Sequence, residues 1–82
     1  MNFKKAKWVE WENDCSVANM AFGIHLTVYE YEGEWLWQMD NEAFTLERGT
    51  SNSKAMAKTK AERAYHKYVI ENLEKCIERE SI

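Results

Sequence analysis

The most concentrated group of charged side chains lies between residues 51 and 67, where five basic residues accompany a single acidic one, Glu62. Charge concentrated in this way can orient a partner or a second copy of the protein. An exposed, solvated helix face would show the same pattern. The stretch therefore indicates either a contact that orients a partner or simple solvation, and its basic residues are Lys54, Lys58, Lys60, Arg63 and Lys67.

Residue types that usually carry catalysis are scattered along the chain. His25 and His66 stand alone, outside any nucleophile or metal motif, and Cys15 and Cys76 form no CxxC pair. The three glycines are too far apart to form a phosphate-binding loop. We therefore predict a protein that is not an enzyme and has no catalytic residue, metal site or cofactor.

Length and composition favour a single domain over residues 1–82. Apolar residues make up 45% of the 82 residues and aromatic residues 13%, which is enough for one small core. The chain has no apolar run of the length that a membrane span needs and no signal-peptide pattern at its start, so the cytoplasm is the expected location. Residues 1–49 carry a net charge of −5 and residues 50–82 carry +2, which predicts an acidic sheet and a basic helix end.

Residues 7–12 alternate large and charged side chains, a pattern typical of a short strand. Residues 15–22 are apolar and are followed by Gly23. We interpret them as a connector that can contain a helical turn, and an extended strand fits the same residues.

Residues 24–31 and 34–40 flank Glu32-Gly33, which is suited to a two-residue hairpin turn. Such a turn pairs residues whose numbers sum to 65, so Val28 lies opposite Trp37. The apolar face of this hairpin then consists of Ile24, Leu26, Val28, Trp35, Trp37 and Met39, and the other face of His25, Thr27, Tyr29, Tyr31, Leu36 and Gln38.

Residues 43–48 fit either a short fourth strand or a bent extension of the third. A long helix follows, because Ser51 or Ser53 can cap it and neither Pro nor Gly occurs after position 49. The predicted fold is α+β: a three- or four-stranded antiparallel sheet with one long C-terminal helix on one face. The predicted helix stripe is Ala57, Ala61, Ala64, Tyr68, Leu73, Cys76 and Ile77.

The helix start after the hairpin resembles the C-terminal half of double-stranded RNA-binding domains, through Gly49, Ser53, Lys54, Ala57, Lys58 and Ala61. That family opens its last helix with a Gly-containing turn and a Ser-Lys-Lys-x-x-Ala-Lys-like run. Here Ala55 stands where a second lysine is usual, and residues 1–17 offer no counterpart of the family's first helix. The resemblance implies an alternative function, nucleic-acid binding through Ser53, Lys54, Lys58, Lys60 and Arg63.

The chain is also similar in style to small β-β-β-α proteins of bacteriophages and mobile elements, through Trp35-x-Trp37 and Gly-x-Ser-x-Ser-Lys-x-x-Ala-Lys over residues 49–58. This similarity implies a non-enzymatic accessory protein that binds and modulates or inhibits a host defence or nucleic-acid-processing complex. The predicted partner-binding residues lie on the hairpin: Tyr29, Glu30, Tyr31, Glu32, Glu34 and Leu36. A homodimer formed through the uncovered sheet face or through residues 73–82 is a further possibility.

Overall fold

The computed structural model describes residues 6–12 and 14–80, with side chains described as far as Asn72. Five antiparallel strands lie in the order of the sequence, and one long helix packs on one face of the sheet. The elements are β1 (Val9–Trp11), β2 (Cys15–Asn19), a 3-10 turn (Ala21–Gly23), β3 (His25–Tyr31), β4 (Glu34–Asp40), β5 (Thr45–Ser51) and α1 (Lys54–Glu80). The predicted α+β class is confirmed. The predicted count of three or four strands is too low for the described residues.

The additional strand is β2, which occupies most of the predicted connector. Its side chains alternate, since Ser16 and Ala18 are fully buried while Cys15 and Val17 are only partly buried. Small residues fill the buried positions, so the segment lacks the large apolar alternation by which a strand is usually recognised. The 3-10 turn follows directly, and Gly23 there has a φ of 70°.

The hairpin of β3 and β4 has the predicted register. Val28 pairs with Trp37 and Leu26 pairs with Met39. Positive φ angles at Glu32 (51°) and Gly33 (82°) are those of the two-residue turn whose twist suits a hairpin. The predicted apolar face of this hairpin forms the middle of the core.

The segment after β4 forms a separate strand, β5, and not an extension of β4. The Asn41 side-chain oxygen accepts hydrogen bonds from the backbone NH groups of Ala43 (2.7 Å) and Phe44 (2.8 Å), which closes the turn between the two strands. Gly49 lies inside β5, opposite Trp37. The expectation that Gly49 belongs to a turn opening the helix was therefore wrong.

The helix begins at Lys54, after β5 has ended at Ser51. Ser53 caps it, since its hydroxyl accepts a 3.2 Å hydrogen bond from the backbone NH of Met56. Small side chains on the buried stripe bring the helix backbone close to the sheet, as predicted, and the buried helix residues are Ala57, Ala61, Ala64, Tyr65 and Val69. The side chains of Leu73, Cys76 and Ile77, which the predicted stripe included, lie outside the described residues.

No helix in the described part of the chain has both the length and the apolar character needed to cross a membrane.

Candidate binding surfaces

The two faces of the sheet differ in what covers them. The helix packs against one face through contacts with β3, β4 and β5. Because strand side chains alternate, every second residue points away from the helix, and no described element covers this second face. We call it the open face and define it by Val9, Trp11, Val17, Thr27, Tyr29, Tyr31, Leu36, Gln38, Arg48 and Thr50.

Large aromatic side chains are prominent on the open face. Trp11 is 65% exposed and Tyr31 is 62% exposed. Tyr29, on the same strand as Tyr31, pairs with Leu36, and both border a shallow hollow that Arg48 also lines. Exposed Trp and Tyr beside aliphatic groups have the composition that protein interfaces favour.

Three carboxylates cluster at the hairpin tip. Glu30, Glu32 and Glu34 are all exposed, and none of them forms an ion pair with another described residue. We call these three residues the acidic tip. It lies beside Tyr31, which pairs with Glu34 across the hairpin.

The six predicted partner-binding residues therefore lie together at one end of the hairpin, but not on one face. Tyr29, Tyr31, Glu34 and Leu36 belong to the open side of the sheet, whereas Glu32 lies in the turn. The remaining residue, Glu30, points to the helix side, because it alternates with Tyr29 and Tyr31.

The helix start is ion-paired within the chain. Glu10 of β1 accepts a hydrogen bond from Lys54 Nζ at 2.7 Å on one carboxylate oxygen and from Lys58 Nζ at 2.7 Å on the other. The hydroxyl of Ser16 also donates to Glu10. Two of the predicted nucleic-acid contacts are thus occupied by a carboxylate of the same protein.

The other three predicted nucleic-acid contacts have separate environments. Ser53 caps the helix, and Lys60 Nζ donates to the backbone carbonyl of Thr50 at 3.0 Å. Arg63 is exposed on the outer side of the helix.

Tryptophans frame the lysine–glutamate cluster and hold residues 6–12 against the helix. Lys58 Nζ lies 5.4 Å from the ring centre of Trp8, and Lys54 Nζ lies 6.0 Å from that of Trp35. The indole NH of Trp8 donates a 2.9 Å hydrogen bond to Glu62. The two Trp8 contacts join the start of the described chain to a helix some 50 positions later, and sequence reasoning missed both Glu10 and Trp8.

The same cluster predicts a pH dependence of stability. Hydrogen bonds from Lys54, then Lys58, then Ser16 lower the pKa of Glu10 from 4.5 to about 2. A carboxyl whose pKa is lower in the folded than in the unfolded state stabilises the fold above the unfolded pKa, and that stabilisation is lost as the pH falls towards the folded pKa. We therefore expect Glu10→Gln to lower the melting temperature at neutral pH, and the difference from wild type to shrink between pH 4.5 and about 2.

Thermal unfolding followed by circular dichroism between pH 2 and about pH 7 measures this difference, over the range in which carboxyl groups titrate. Glu12→Gln is the matched control, since Glu12 is an exposed carboxylate in the same segment. A difference in melting temperature between Glu10→Gln and wild type that stays constant across this pH range would contradict the lowered pKa of Glu10.

Cys15 and His25 lie on the neighbouring strands β2 and β3. The ring of His25 hydrogen-bonds Asn19 through Nδ1 at 2.8 Å, on the sheet. Within the described residues, no three metal-ligating side chains come together. Cys15 is a free thiol on β2. The candidate sites are therefore the open face with the acidic tip, and the cluster around Glu10.

Comparison with protein-family models, curated proteins and solved structures found no match for this chain. The resemblances to double-stranded RNA-binding domains and to phage accessory proteins therefore stay predictions. In the described part of the chain the first element is a strand, β1, and not a helix.

Proposed function

We propose that this chain is a non-enzymatic protein-binding domain that docks the open face and the acidic tip onto a basic surface of a partner protein. The observation that carries the proposal is that aromatic side chains and exposed carboxylates occur together at one end of the sheet. Exposed Tyr31 and half-buried Tyr29 and Leu36 lie beside three carboxylates that have no ion-pair partner in the described chain.

Aromatic side chains supply the affinity in this proposal. Trp and Tyr are enriched among the residues that dominate binding energy, because they bury a large area with few rotatable bonds. Trp11, Tyr29 and Tyr31 share the open face, so one flat partner surface can contact all three.

The acidic tip supplies orientation and partner choice. Three negative charges within five residues attract a positively charged surface, speed its encounter and disfavour acidic partners. A protein surface shaped to hold nucleic acid has the required basic character. We therefore assign the partner to a host defence or nucleic-acid-processing complex, in line with an accessory protein of a phage or mobile element.

The alternative function, direct nucleic-acid binding, has weaker support. Lys54 and Lys58 both form ion pairs with Glu10, and Lys60 donates a hydrogen bond to the Thr50 carbonyl. A phosphate backbone would have to displace these contacts before it could bind there. Salt-dependent duplex binding by the wild-type protein at micromolar concentration would favour this alternative.

The protein-binding proposal predicts that reversing the acidic tip abolishes partner capture. The triple variant Glu30→Lys, Glu32→Lys, Glu34→Lys should lose at least about tenfold in affinity, since each close charge pair across an interface contributes strongly. The measurement is quantitative affinity purification from host-cell extract, followed by titration of the recovered partner with each purified variant.

The matched control reverses three other exposed carboxylates, Glu12→Lys, Glu42→Lys and Glu47→Lys, which have the same change in net charge. The control should keep the partner. Equal loss of affinity in both triple variants would mean that net charge alone causes the effect. Partner capture that is unchanged when the acidic tip is reversed would eliminate this surface as the binding site.

Light scattering tests the homodimer, because a monomer mass at high concentration leaves the open face free for another protein.

A further inference from the structure

Lys54 and Lys58 lie one helical turn apart and reach the same point in space. Like charges at this spacing repel each other unless an anion lies between them. Glu10 is that anion, and its two oxygens each accept from one lysine at 2.7 Å. Ser16 adds a third donor, which shares the oxygen that Lys54 contacts. Three converging donors thus surround one acidic group.

The three donor side chains are more buried than the carboxylate of Glu10, which is the most exposed member of the cluster. Ser16 is fully buried, and the side chains of Lys54 and Lys58 are 34% and 24% exposed, compared with 52% for Glu10. An anion arriving from solvent can therefore reach the same donors if Glu10 swings outward.

Glu10 lies on a short edge strand, which Trp8 also ties to the helix. β1 has only three residues, all of them exposed, and it forms the sheet edge with β2 as its one neighbouring strand. Short exposed edge elements open at a lower free-energy cost than core strands do.

We propose that Lys54, Lys58 and Ser16 form an oxyanion site that Glu10 fills from within the chain, and that a phosphate group of an external ligand binds there once Glu10 is displaced. A phosphate group matches the donors better than a carboxylate does. A terminal phosphate offers three free oxygens, one for each donor, whereas Glu10 has two oxygens for three donors. A phosphodiester has two free oxygens and would replace Glu10 on the same donors. This site shares no residue with the proposed docking surface, of which only Glu30 points to the same side of the sheet.

Removing the charge of Glu10 tests the proposal. Glu10→Gln, Glu12→Gln and wild type are titrated with inorganic phosphate, followed by tryptophan fluorescence because Trp8 and Trp35 adjoin the two lysines. The same proteins are titrated against a labelled RNA duplex by fluorescence anisotropy. We expect Glu10→Gln to bind at least about tenfold more tightly than the other two, with an affinity that falls as salt rises.

Adding Lys54→Gln and Lys58→Gln to Glu10→Gln should abolish the gained binding. A gain with inorganic phosphate identifies a small phosphate ligand, and a gain confined to the duplex identifies a phosphodiester backbone. Both results support the site.

The proposal is overturned if folded Glu10→Gln binds neither probe more tightly than Glu12→Gln does. Should Glu10→Gln fail to fold, Glu10→Asp takes its place. Its side chain is one methylene shorter and cannot hold both lysines as Glu10 does, so it should show an intermediate gain, and no gain would overturn the proposal. Partner capture through the acidic tip should be unchanged in the Glu10 variants. The phosphate site and the protein-binding function can therefore be rejected independently of each other.

Discussion

Leu26→Ala is expected to lower the free energy of unfolding by about 2–5 kcal/mol. Leu26 is fully buried in the central strand β3, where it belongs to the core between the sheet and the helix. Truncation removes apolar contacts and leaves a cavity that a packed sheet and helix cannot fill. A domain of this size has a total stability of about 4–12 kcal/mol, so the variant should be close to unfolding. Urea denaturation followed by tryptophan fluorescence measures the loss.

Leu36→Ala is the matched control for Leu26→Ala. The two leucines lie on neighbouring strands and point to opposite faces, and Leu36 is half-buried on the open face. We expect Leu36→Ala to cost about 1 kcal/mol or less, since no second layer packs on it. Similar losses for both variants would mean that the open face is covered in solution, for example by a second copy of the chain.

The sequence was most informative where local chemistry fixes geometry. Glu32-Gly33 allows the positive φ angles of a tight hairpin turn, and that turn sets the register of every residue pair between β3 and β4. The apolar alternation on both strands agrees with the same register. Two independent signals therefore predicted the hairpin and its buried face.

Sequence patterns did not predict the structure where small residues fill the buried positions. β2 buries Ser16 and Ala18, whose sizes give no strong apolar alternation, so the sequence fits a connector as well as a strand there. The resemblance to double-stranded RNA-binding domains implies that Gly49 belongs to a turn opening the helix. Its actual role depends on Trp37, a residue of the neighbouring strand, which sequence position alone does not connect to it.

The candidate sites also differ in how far they could be predicted from the sequence. The aromatic and acidic residues of the hairpin could be grouped from the sequence because they share one local element. The partner of Lys54 and Lys58 is 44 to 48 positions away, and the register of β1 on β2 brings it to the helix. The basic run was visible in the sequence, but its neutralisation by Glu10 was not.

The open face and the oxyanion site of Lys54, Lys58 and Ser16 lie on opposite sides of one sheet, which has a functional consequence. The open face and acidic tip are exposed in the folded chain, whereas Glu10 occupies the donors of the oxyanion site. Protein binding, as proposed above, uses surfaces that the folded state already exposes. Phosphate binding would be a second, conditional property of the same domain.

Gly49→Ala is expected to destabilise the protein by about 1–3 kcal/mol, the usual cost of overpacking a core. A Cβ atom at position 49 would lie 2.7 Å from Trp37 Nε1 and 2.8 Å from two carbons of the indole. Trp37 is only 8% exposed, so its ring cannot swing freely away. Replacing glycine usually gains up to about 1 kcal/mol by restricting the unfolded chain. Here the clash should exceed that gain, and urea denaturation measures the balance.

A double-mutant cycle with Trp37→Leu isolates the contact, since neighbouring substitutions couple only when they share an interaction. Leucine leaves room over position 49, so in that background Gly49→Ala should become neutral or slightly stabilising. The change of sign would assign the glycine to the close approach of the Trp37 indole. An equal loss in both backgrounds would contradict that assignment, because it would show that β5 needs glycine for its own backbone and not for its neighbour.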